Sequence, residues 1–319
     1  MKSTAILAIA IVFFATTTSA GDVVPAPLEN IHRIVFLGDS ITQAGDYVVD
    51  FECYLIAHGI HAEVINLGLG SETATDLTEV ENADHKQKYG FGRPFVGERL
   101  DRALRATKPD LLIACYGMND GGSLPTDDTG TKRYAAAITH LRDAALKAGA
   151  KCVVLCTPPV QDAKGNKAMA FHDTNLTRYS DWLLSKRADG WDVVDFHGAM
   201  RKALADRRAK DPHFQFAGDG VHPGREGHWL IAGCIIHDFL GGKLDGINSA
   251  EHLFKSHGAE IRSLVHKRMS ILFAAWMTKI GHKRPGVPGY PGVTTGMSIE
   301  EANAEAKKIG KQIAALIEK

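Results

Sequence analysis

Residues 34–42, with the sequence IVFLGDSIT, contain the transition that decides the fold: four consecutive apolar residues run directly into Gly38-Asp39-Ser40. An apolar run of this length is typical of a strand that is covered on both faces of a parallel sheet. The Gly-Asp-Ser that follows is typical of a turn that begins a helix. The pattern therefore predicts Ser40 at the carboxyl edge of a parallel sheet, where open α/β folds bind their ligands. The alternative is an ordinary helix-capping serine with no further role.

Four more apolar segments follow the first, and helical patterns separate them. Together the predicted strands cover residues 34–37, 63–67, 111–116, 152–156 and 191–196. The helical pattern is clearest in residues 131–148, where apolar side chains recur every three or four positions. Strands that alternate with helices predict a five-stranded parallel sheet with right-handed crossovers and helices on both faces. Residues 84–96 show no period and are predicted to form a long surface loop.

The composition limits the classes of partner. The 319 residues are 45% hydrophobic, which is enough to build a core and excludes a chain that is disordered as a whole. Lys plus Arg and Asp plus Glu each number 37, so positive charge is not in surplus. The composition therefore argues against nucleic acid or an anionic membrane surface as a partner, and it favours a small or neutral substrate.

The two ends of the chain differ from its middle. Residues 1–20 combine Lys2, a short apolar run and small residues before Gly21, which predicts a signal peptide and a secreted or periplasmic protein. After cleavage no stable membrane insertion is expected, because the apolar run is too short to span a bilayer. Residues 21–245 are predicted to form the main domain. Residues 246–319 are predicted to form a helical extension that packs on it.

The cysteine pattern is unusual for an exported protein. Export would normally favour disulfides, yet the chain has five cysteines, an odd number. They lie mostly in apolar segments and show no metal-binding spacing. They are therefore predicted to be core thiols.

Polar residues suited to nucleophilic catalysis follow the predicted strands. Ser40 follows the first strand and Asn119 follows the third. Asp219 and His222 lie three residues apart in a turn-forming segment. This spacing lets a carboxylate reach one nitrogen of the imidazole while the other nitrogen faces Ser40. The pattern therefore predicts a nucleophile, a base and a residue that orients the base.

Donors for an oxyanion are expected from three loops. The side-chain amide of Asn119 is one donor, and the backbone N–H groups of Ser40 and of Gly70 or Ser71 are the others. Taken singly, each candidate has an ordinary structural explanation, such as a turn-forming aspartate, an Asx turn or a surface histidine. Together they follow different strands of one sheet, where side chains converge, and this favours a shared site.

Three short motifs, in chain order, resemble blocks I, III and V of the SGNH (GDSL-like) hydrolase family: GDS at 38–40, GMND at 117–120 and DGVHP at 219–223. The resemblance spans residues 33–240. It implies a flavodoxin-like α/β/α sandwich and hydrolysis of esters without a metal or another cofactor. It also implies that Ser40 is the nucleophile, His222 the base, Asp219 the residue that orients the base and Asn119 an oxyanion donor.

The second block of the family departs from its usual pattern here. Ser71 stands where the family usually has a glycine, and Gly70 precedes it. Only a backbone N–H is needed at this position, so Ser71 serves if its torsion angles are allowed. A requirement for positive φ would instead favour Gly70. Both residues are therefore candidates for the second donor.

These residues support one main hypothesis and several alternatives. The main hypothesis is a secreted serine esterase that removes short acyl groups, acetyl among them, from a carbohydrate or another small polar substrate. Tyr89, Phe91 and Trp229 are candidates to line a sugar-sized cleft. The alternatives are a lipase or arylesterase of the same family and an inactive carbohydrate-binding relative. A metal-dependent hydrolase ranks last, because His-x-x-x-His and Cys-x-x-Cys spacings are absent from the candidate loops.

Overall fold

A sheet of five parallel strands lies at the centre of the molecule. The computed structural model describes residues 25–162, 166–282 and 292–318, so the predicted signal peptide lies outside the described residues. The strands are β1 (Arg33–Gly38), β2 (Glu63–Asn66), β3 (Leu111–Cys115), β4 (Cys152–Cys156) and β5 (Asp192–Val194). Their order in the sheet is β2-β1-β3-β4-β5. The predicted α/β class with a five-stranded parallel sheet is confirmed.

Helices flank this sheet and connect its strands. Within the described ranges the α-helices are α1 (Ser40–Ala44), α2 (Asp46–Ala57), α3 (His85–Tyr89), α4 (Leu100–Thr107), α5 (Met118–Gly121), α6 (Asp128–Lys147), α7 (Lys167–Ser185), α8 (Phe196–Arg208), α9 (Arg225–Cys234), α10 (Gly258–Lys279) and α11 (Ile299–Ile317). Short 3₁₀ segments cover Ala26–Leu28, Val96–Glu98, Lys186–Asp189 and Ala250–Leu253, and a π-helical turn covers Ile235–Phe239.

The sheet topology determines where a ligand can bind. The apolar residues of β1 and β3 are almost fully buried, as expected for parallel strands that are covered on both faces. Gly38 pairs with Cys115, and Phe36 pairs with Asn66, so the carboxyl ends of the first three strands lie at one edge. The strand order reverses between β1 and β3. The crevice at this point is the usual ligand site of an open α/β sheet.

Two segments differ from the predictions. The fifth strand ends earlier than predicted, because the side chain of Asp195 accepts a hydrogen bond from the Gly198 N–H (2.9 Å) and caps α8. Residues 84–96 contain helix α3, and the ring of His85 packs between Tyr89 and Phe91. The prediction of a long surface loop was therefore wrong for this part of the segment.

The C-terminal helices pack on the sheet domain. Helix α10 lies against α2 and β2, and α11 lies against α10. Arg262 of α10 forms ion pairs with Asp46 (2.6 Å) and Asp50 (2.7 Å) of α2. The sulfur of Met269 accepts a hydrogen bond from Asn66 Nδ2 (3.6 Å) at the end of β2. A Cβ on Gly45 would lie 2.4 Å from Met269 Cε, so this methionine fits closely against the start of α2.

Three further features bear on the sequence predictions: the state of the cysteines, clusters of possible metal ligands and helices that could span a membrane. All five cysteines are free; three are buried and two partly buried. The described part of the chain contains no group of three or more His, Cys, Asp or Glu residues that could hold a metal ion. Its helices are each too short or too polar to cross a membrane.

Candidate active site

Ser40, His222 and Asp219 form one continuous hydrogen-bonded relay. Ser40 is the first residue of α1, and Asp39 separates it from the end of β1. Its Oγ is 2.8 Å from Nε2 of His222, and Nδ1 of the same ring is 2.6 Å from Oδ2 of Asp219. The His222 ring therefore lies between the Ser40 hydroxyl and the Asp219 carboxylate, within hydrogen-bond distance of each. This is the arrangement that a nucleophile, a base and an orienting carboxylate require.

The carboxylate of Asp219 also organises its own loop. Its Oδ1 accepts hydrogen bonds from the backbone N–H groups of Val221 and His222, both at 2.8 Å. Burial alone would raise the pKa of this carboxyl, but the hydrogen bonds from the His222 ring and from both backbone groups lower its pKa to about 2. Asp219 is therefore ionised at neutral pH. An ionised carboxylate holds the imidazole proton on Nδ1 and leaves Nε2 free to accept the proton of Ser40.

The loop after β4 fixes this turn from the other side. The Asp162 N–H donates to the Gly220 carbonyl (2.8 Å). Gly220 has a φ of 84°, and a Cβ there would lie 2.8 Å from the Asp162 carbonyl oxygen. Because both the torsion angle and the space require glycine, Gly220 lets the loop pass close enough to receive this bond. Asp162 is itself held by an ion pair with Arg208 (2.8 Å).

Of the two candidates for the second oxyanion donor, Ser71 fits the geometry better. The Gly70 N–H already donates to the side chain of Gln43 (2.5 Å). Ser71 is buried and has a φ of 67°, so the positive φ falls on the serine and not on Gly70. For a residue with a Cβ this conformation costs about 1–2 kcal/mol, which the surrounding contacts must offset.

Asn119 lies beside Ser71, with both ends of its amide bound. Its Nδ2 donates to the Glu72 carbonyl (3.0 Å), and its Oδ1 accepts from Nη1 of Arg93 (3.0 Å). The same Nη1 is 3.4 Å from the Ser71 carbonyl oxygen. An amide has two N–H donors, so one remains after the bond to Glu72. Ser40, Ser71 and Asn119 thus follow β1, β2 and β3 and meet at one edge of the sheet.

Several residues that hold this site were not identified from the sequence. The buried carboxylate of Asp120 accepts from the Ala74 N–H (3.1 Å), the Thr75 N–H (2.9 Å) and the Thr75 hydroxyl (2.6 Å). It therefore ties α5 to the loop that carries Ser71. The signal for Asp120 was its place beside Asn119 after an apolar strand. Its partners are more than forty positions away and gave no signal.

Asn66 and Gly68 join the Ser71 loop to the helix that carries Ser40. Asn66 Nδ2 donates to the Thr42 carbonyl (2.7 Å), and Asn66 Oδ1 accepts from the Gly68 N–H (2.8 Å). A Cβ on Gly68 would lie 2.2 Å from the Gln43 backbone nitrogen. Only glycine permits such a close approach of the two backbones.

The aromatic residues proposed for a sugar cleft do not form one group. Phe91 lines a cavity of about 370 Å³, together with Asp76, Glu79 and Arg93. Trp229 lines a different cavity, of about 480 Å³, beside α8 and α9. Tyr89 packs on His85 with a ring distance of 4.7 Å. Of the three, Phe91 alone lines the cavity that also contains Arg93, the contact of Asn119.

Asp39, the residue before the serine, is a buried helix cap. Its Oδ1 accepts from the Ile41 N–H (3.0 Å) at the start of α1. Burial raises the pKa of this carboxyl to about 7, although the Ile41 hydrogen bond and the nearby His222 act in the opposite direction. A buried carboxyl with such a pKa titrates near neutral pH.

We expect the free energy of unfolding to decrease between about pH 5 and about pH 8, and to decrease less in Asp39→Asn. Folded Asp39 keeps its proton up to about pH 7, whereas an unfolded aspartate releases it near pH 3.8. The folded state therefore binds more protons in this window, so stability is lost as pH rises. Asp50, whose pKa burial raises to about 6, acts in the same direction. Urea unfolding at the two pH values measures the change.

A matched control for this prediction is Asp127→Asn. Asp127 is an exposed cap of α6, and the hydrogen bonds from the Thr129 hydroxyl and the Gly130 N–H lower its pKa. It stays ionised at both pH values, so its replacement should leave the pH dependence between them unchanged. An equal pH dependence in Asp39→Asn and the parent protein would contradict the titration of Asp39.

Comparison with known proteins agrees with this fold. The sequence profile of the GDSL-like lipase/acylhydrolase family matches residues 36–230. A search of curated proteins found no match.

Solved structures that match include two variants of Axe2 from Geobacillus stearothermophilus. One is described as an acetyl-xylooligosaccharide esterase and has 20% identity; the other, a catalytic mutant described as an acetylxylan esterase, has 19%. Each match covers 66% of this chain and 95% of Axe2, with a TM-score of 0.50. The gut microbial diltiazem-metabolizing enzyme BT4096 has 20% identity and a TM-score of 0.47, and the match covers 65% of this chain and 46% of that enzyme.

Proposed function

Because the chain belongs to the GDSL-like lipase/acylhydrolase family and is a carboxylic ester hydrolase, we propose that it removes short acyl groups from small polar esters. Acetyl esters of carbohydrates are the first candidates. The proposed catalytic residues are Ser40, His222 and Asp219. The observation that carries the proposal is the relay itself, in which 2.8 Å separates Ser40 Oγ from His222 Nε2 and 2.6 Å separates His222 Nδ1 from Asp219 Oδ2.

In the first half of the proposed reaction, Ser40 Oγ attacks the ester carbonyl carbon while His222 Nε2 takes the hydroxyl proton. The carbonyl oxygen becomes an oxyanion, which the N–H groups of Ser40, Ser71 and the Asn119 amide stabilise. The tetrahedral intermediate then breaks its bond to the alcohol oxygen. His222 gives its proton to the departing alcohol, and the acyl group remains on Ser40.

In the second half, water replaces the alcohol. His222 Nε2 takes a proton from the water as its oxygen attacks the acyl carbon. The second tetrahedral intermediate breaks its bond to Ser40 Oγ, and His222 returns the proton to that oxygen. The carboxylic acid leaves, and Ser40 is ready for another substrate. Throughout, Asp219 holds the Nδ1 proton and stabilises the imidazolium that forms in each half.

Two observations support a polar alcohol group. The cavity of about 370 Å³ that contains Arg93 combines Phe91 with the carboxylates of Asp76 and Glu79, and an aromatic face beside polar acceptors suits a sugar ring. Axe2, whose fold the chain shares, is described as an esterase of acetylated xylooligosaccharides. This description makes acetylated saccharides the first natural esters to test.

Export of the enzyme is a proposal from the sequence pattern. Residues 1–20 have the charge, apolar run and small-residue ending of a signal peptide. We propose that residues 21–245 form the hydrolase domain and residues 246–319 its helical extension. On this proposal the ester bond is hydrolysed outside the cytoplasm.

A substrate panel tests the proposed specificity. We expect 4-nitrophenyl acetate to be hydrolysed at least about tenfold faster, in kcat/KM, than the decanoate, and acetate to be released from acetylated xylooligosaccharides. Addition of a chelator should leave these rates unchanged. Faster hydrolysis of the decanoate would instead indicate a lipase. Failure to hydrolyse any ester would indicate a binding relative, and loss of activity with chelator would indicate a metal-dependent hydrolase.

A further inference from the structure

Arg93 contacts two of the three loops that meet at the site. Its Nη1 donates to Asn119 Oδ1 (3.0 Å) and approaches the Ser71 carbonyl oxygen (3.4 Å). One guanidinium nitrogen therefore bridges Ser71, in the loop that follows β2, and Asn119, in the short helix that follows β3. Both residues supply proposed oxyanion donors. Arg93 itself lies in neither of these loops and belongs to none of the motifs that identify the family.

We propose that Arg93 is a positioning residue for the oxyanion hole, which it orders by holding the amide of Asn119 and the backbone at Ser71. This inference rests on the proposed function, because it requires Asn119 and Ser71 to act as oxyanion donors. It adds a residue whose hydrogen bonds go to the two proposed donors, Asn119 and the backbone at Ser71. Its proposed effect on the reaction is exerted through these two residues.

The chemistry of the guanidinium determines which way the amide points. Arginine only donates hydrogen bonds, so the Asn119 atom that faces it must be the carbonyl oxygen. The amide nitrogen then faces the opposite way, where one N–H reaches the Glu72 carbonyl (3.0 Å). The second N–H of the Asn119 amide lies in the same plane, so its direction is fixed as well. Without Arg93, the bond to the Glu72 carbonyl would have to hold the amide by itself, and a rotated amide would present an oxygen where the oxyanion needs a donor.

The backbone around Arg93 is fixed to the loop that it supports. The Thr73 N–H donates to the Pro94 carbonyl, and the Val96 N–H donates to the Thr73 carbonyl, both at 3.0 Å. Thr73 and Phe95 thereby form a parallel bridge two residues after Ser71. Arg93 is thus part of a segment whose position is tied to the Ser71 loop. This attachment limits the freedom of the guanidinium and makes its hold on Asn119 more rigid.

The planar fork of donors on arginine provides this hold. Lysine keeps the charge and a donor but loses the planar fork. Arg93→Lys therefore keeps part of the orientation, whereas Arg93→Met loses it.

The test is a double-mutant cycle between Arg93 and Asn119, measured as kcat and KM on 4-nitrophenyl acetate. Asn119→Ala should lower kcat by about 10²–10³-fold. Arg93→Met should lower kcat by about 10–100-fold with less than about a threefold change in KM, because misplaced donors act mainly in the transition state. Arg93→Lys should lose less than Arg93→Met. In the Asn119→Ala background, Arg93→Met should lower kcat by a smaller factor than in the parent protein, because its hold on Ser71 is then the part that is lost.

Controls separate positioning from folding. Arg105→Met removes an exposed arginine whose ion pair with Asp101 is long (3.7 Å), and it should leave kcat and KM unchanged. Circular dichroism shows whether each variant is folded, and Arg93→Gln, which keeps a donor, takes the place of Arg93→Met if that variant does not fold.

The outcomes distinguish failure of the inference from failure of the proposed function. An unchanged kcat in Arg93→Met, or an equal loss in both backgrounds, overturns the role of Arg93. A normal kcat in Asn119→Ala together with an inactive Ser40→Ala removes Asn119 from the oxyanion hole and overturns the inference, while the serine esterase stands. Full activity in Ser40→Ala overturns both proposals.

Discussion

Replacement of Ser40 by alanine is expected to lower kcat on short-chain esters by roughly four to six orders of magnitude. The hydroxyl is the proposed bond-forming atom, and its 2.8 Å contact with His222 Nε2 is the proposed path for its proton. Alanine removes both while keeping the backbone N–H at the start of α1. The oxyanion donors and the substrate cleft therefore remain, and residual hydrolysis reflects these alone.

Initial rates of 4-nitrophenyl acetate hydrolysis measure this loss. Mass spectrometry of the protein after reaction with a fluorophosphonate inhibitor identifies the serine that is labelled. The matched control is Ser270→Ala on α10, where the hydroxyl donates to the His266 carbonyl of its own helix (2.9 Å). This control should keep full activity. If Ser40→Ala retains more than about a tenth of the rate, or if the inhibitor labels another serine, Ser40 is not the nucleophile.

Replacement of Arg99 by methionine is expected to lower the free energy of unfolding by about 3–5 kcal/mol. Arg99 and Glu72 are both almost fully buried, and Nε and Nη2 of Arg99 lie 2.6 Å and 2.5 Å from the two carboxylate oxygens. The hydroxyl of Tyr116 donates to the same carboxylate (2.6 Å). Methionine fills much of the volume but leaves a buried carboxylate without its cation, which is the costly change.

Urea unfolding measures the loss, and a second variant identifies its cause. In the Glu72→Gln/Arg99→Met double variant the uncompensated charge is gone and an acceptor for Tyr116 remains, so most of the stability should return. The exposed-arginine control, Arg105→Met, should change the free energy of unfolding by less than about 0.5 kcal/mol. A loss below about 1 kcal/mol in Arg99→Met would show that the buried pair is not important for folding. An equally unstable double variant would show that the uncompensated charge of Glu72 is not the cause of the loss.

The sequence predicts those parts of the molecule whose structure depends on residues close together in the chain. Residues 34–37 are four apolar side chains in a row, and in a strand such side chains must be buried on both faces. This pattern therefore predicts a central strand of a parallel sheet. Asp219 and His222 are close enough in the chain for a single turn to join them. The order of the motifs along alternating strands then predicts that Ser40, Asn119 and His222 come together at one edge.

Contacts between distant segments gave no comparable signal. Glu72 and Arg99 are 27 positions apart and Arg93 and Asn119 are 26 apart, with no period or motif that relates them. Their pairing depends on how the segment after β2 folds back, and that segment lacks a repeating pattern. For the same reason the sequence leaves open whether Gly70 or Ser71 is the second oxyanion donor. The choice depends on the side chain of Gln43 in α1, which accepts the hydrogen bond of the Gly70 N–H.

The contact between Met269 and the turn behind the serine has a consequence for biosynthesis. A thioether more than two hundred positions downstream of Ser40 completes the packing around Asn66 and Gly45. A ribosome therefore releases the segments that carry every proposed reactive group before it makes the residue that supports them from behind. The nascent enzyme gains its finished architecture late, after nearly the whole polypeptide has been made. A chain that stops early would carry the reactive groups without that support.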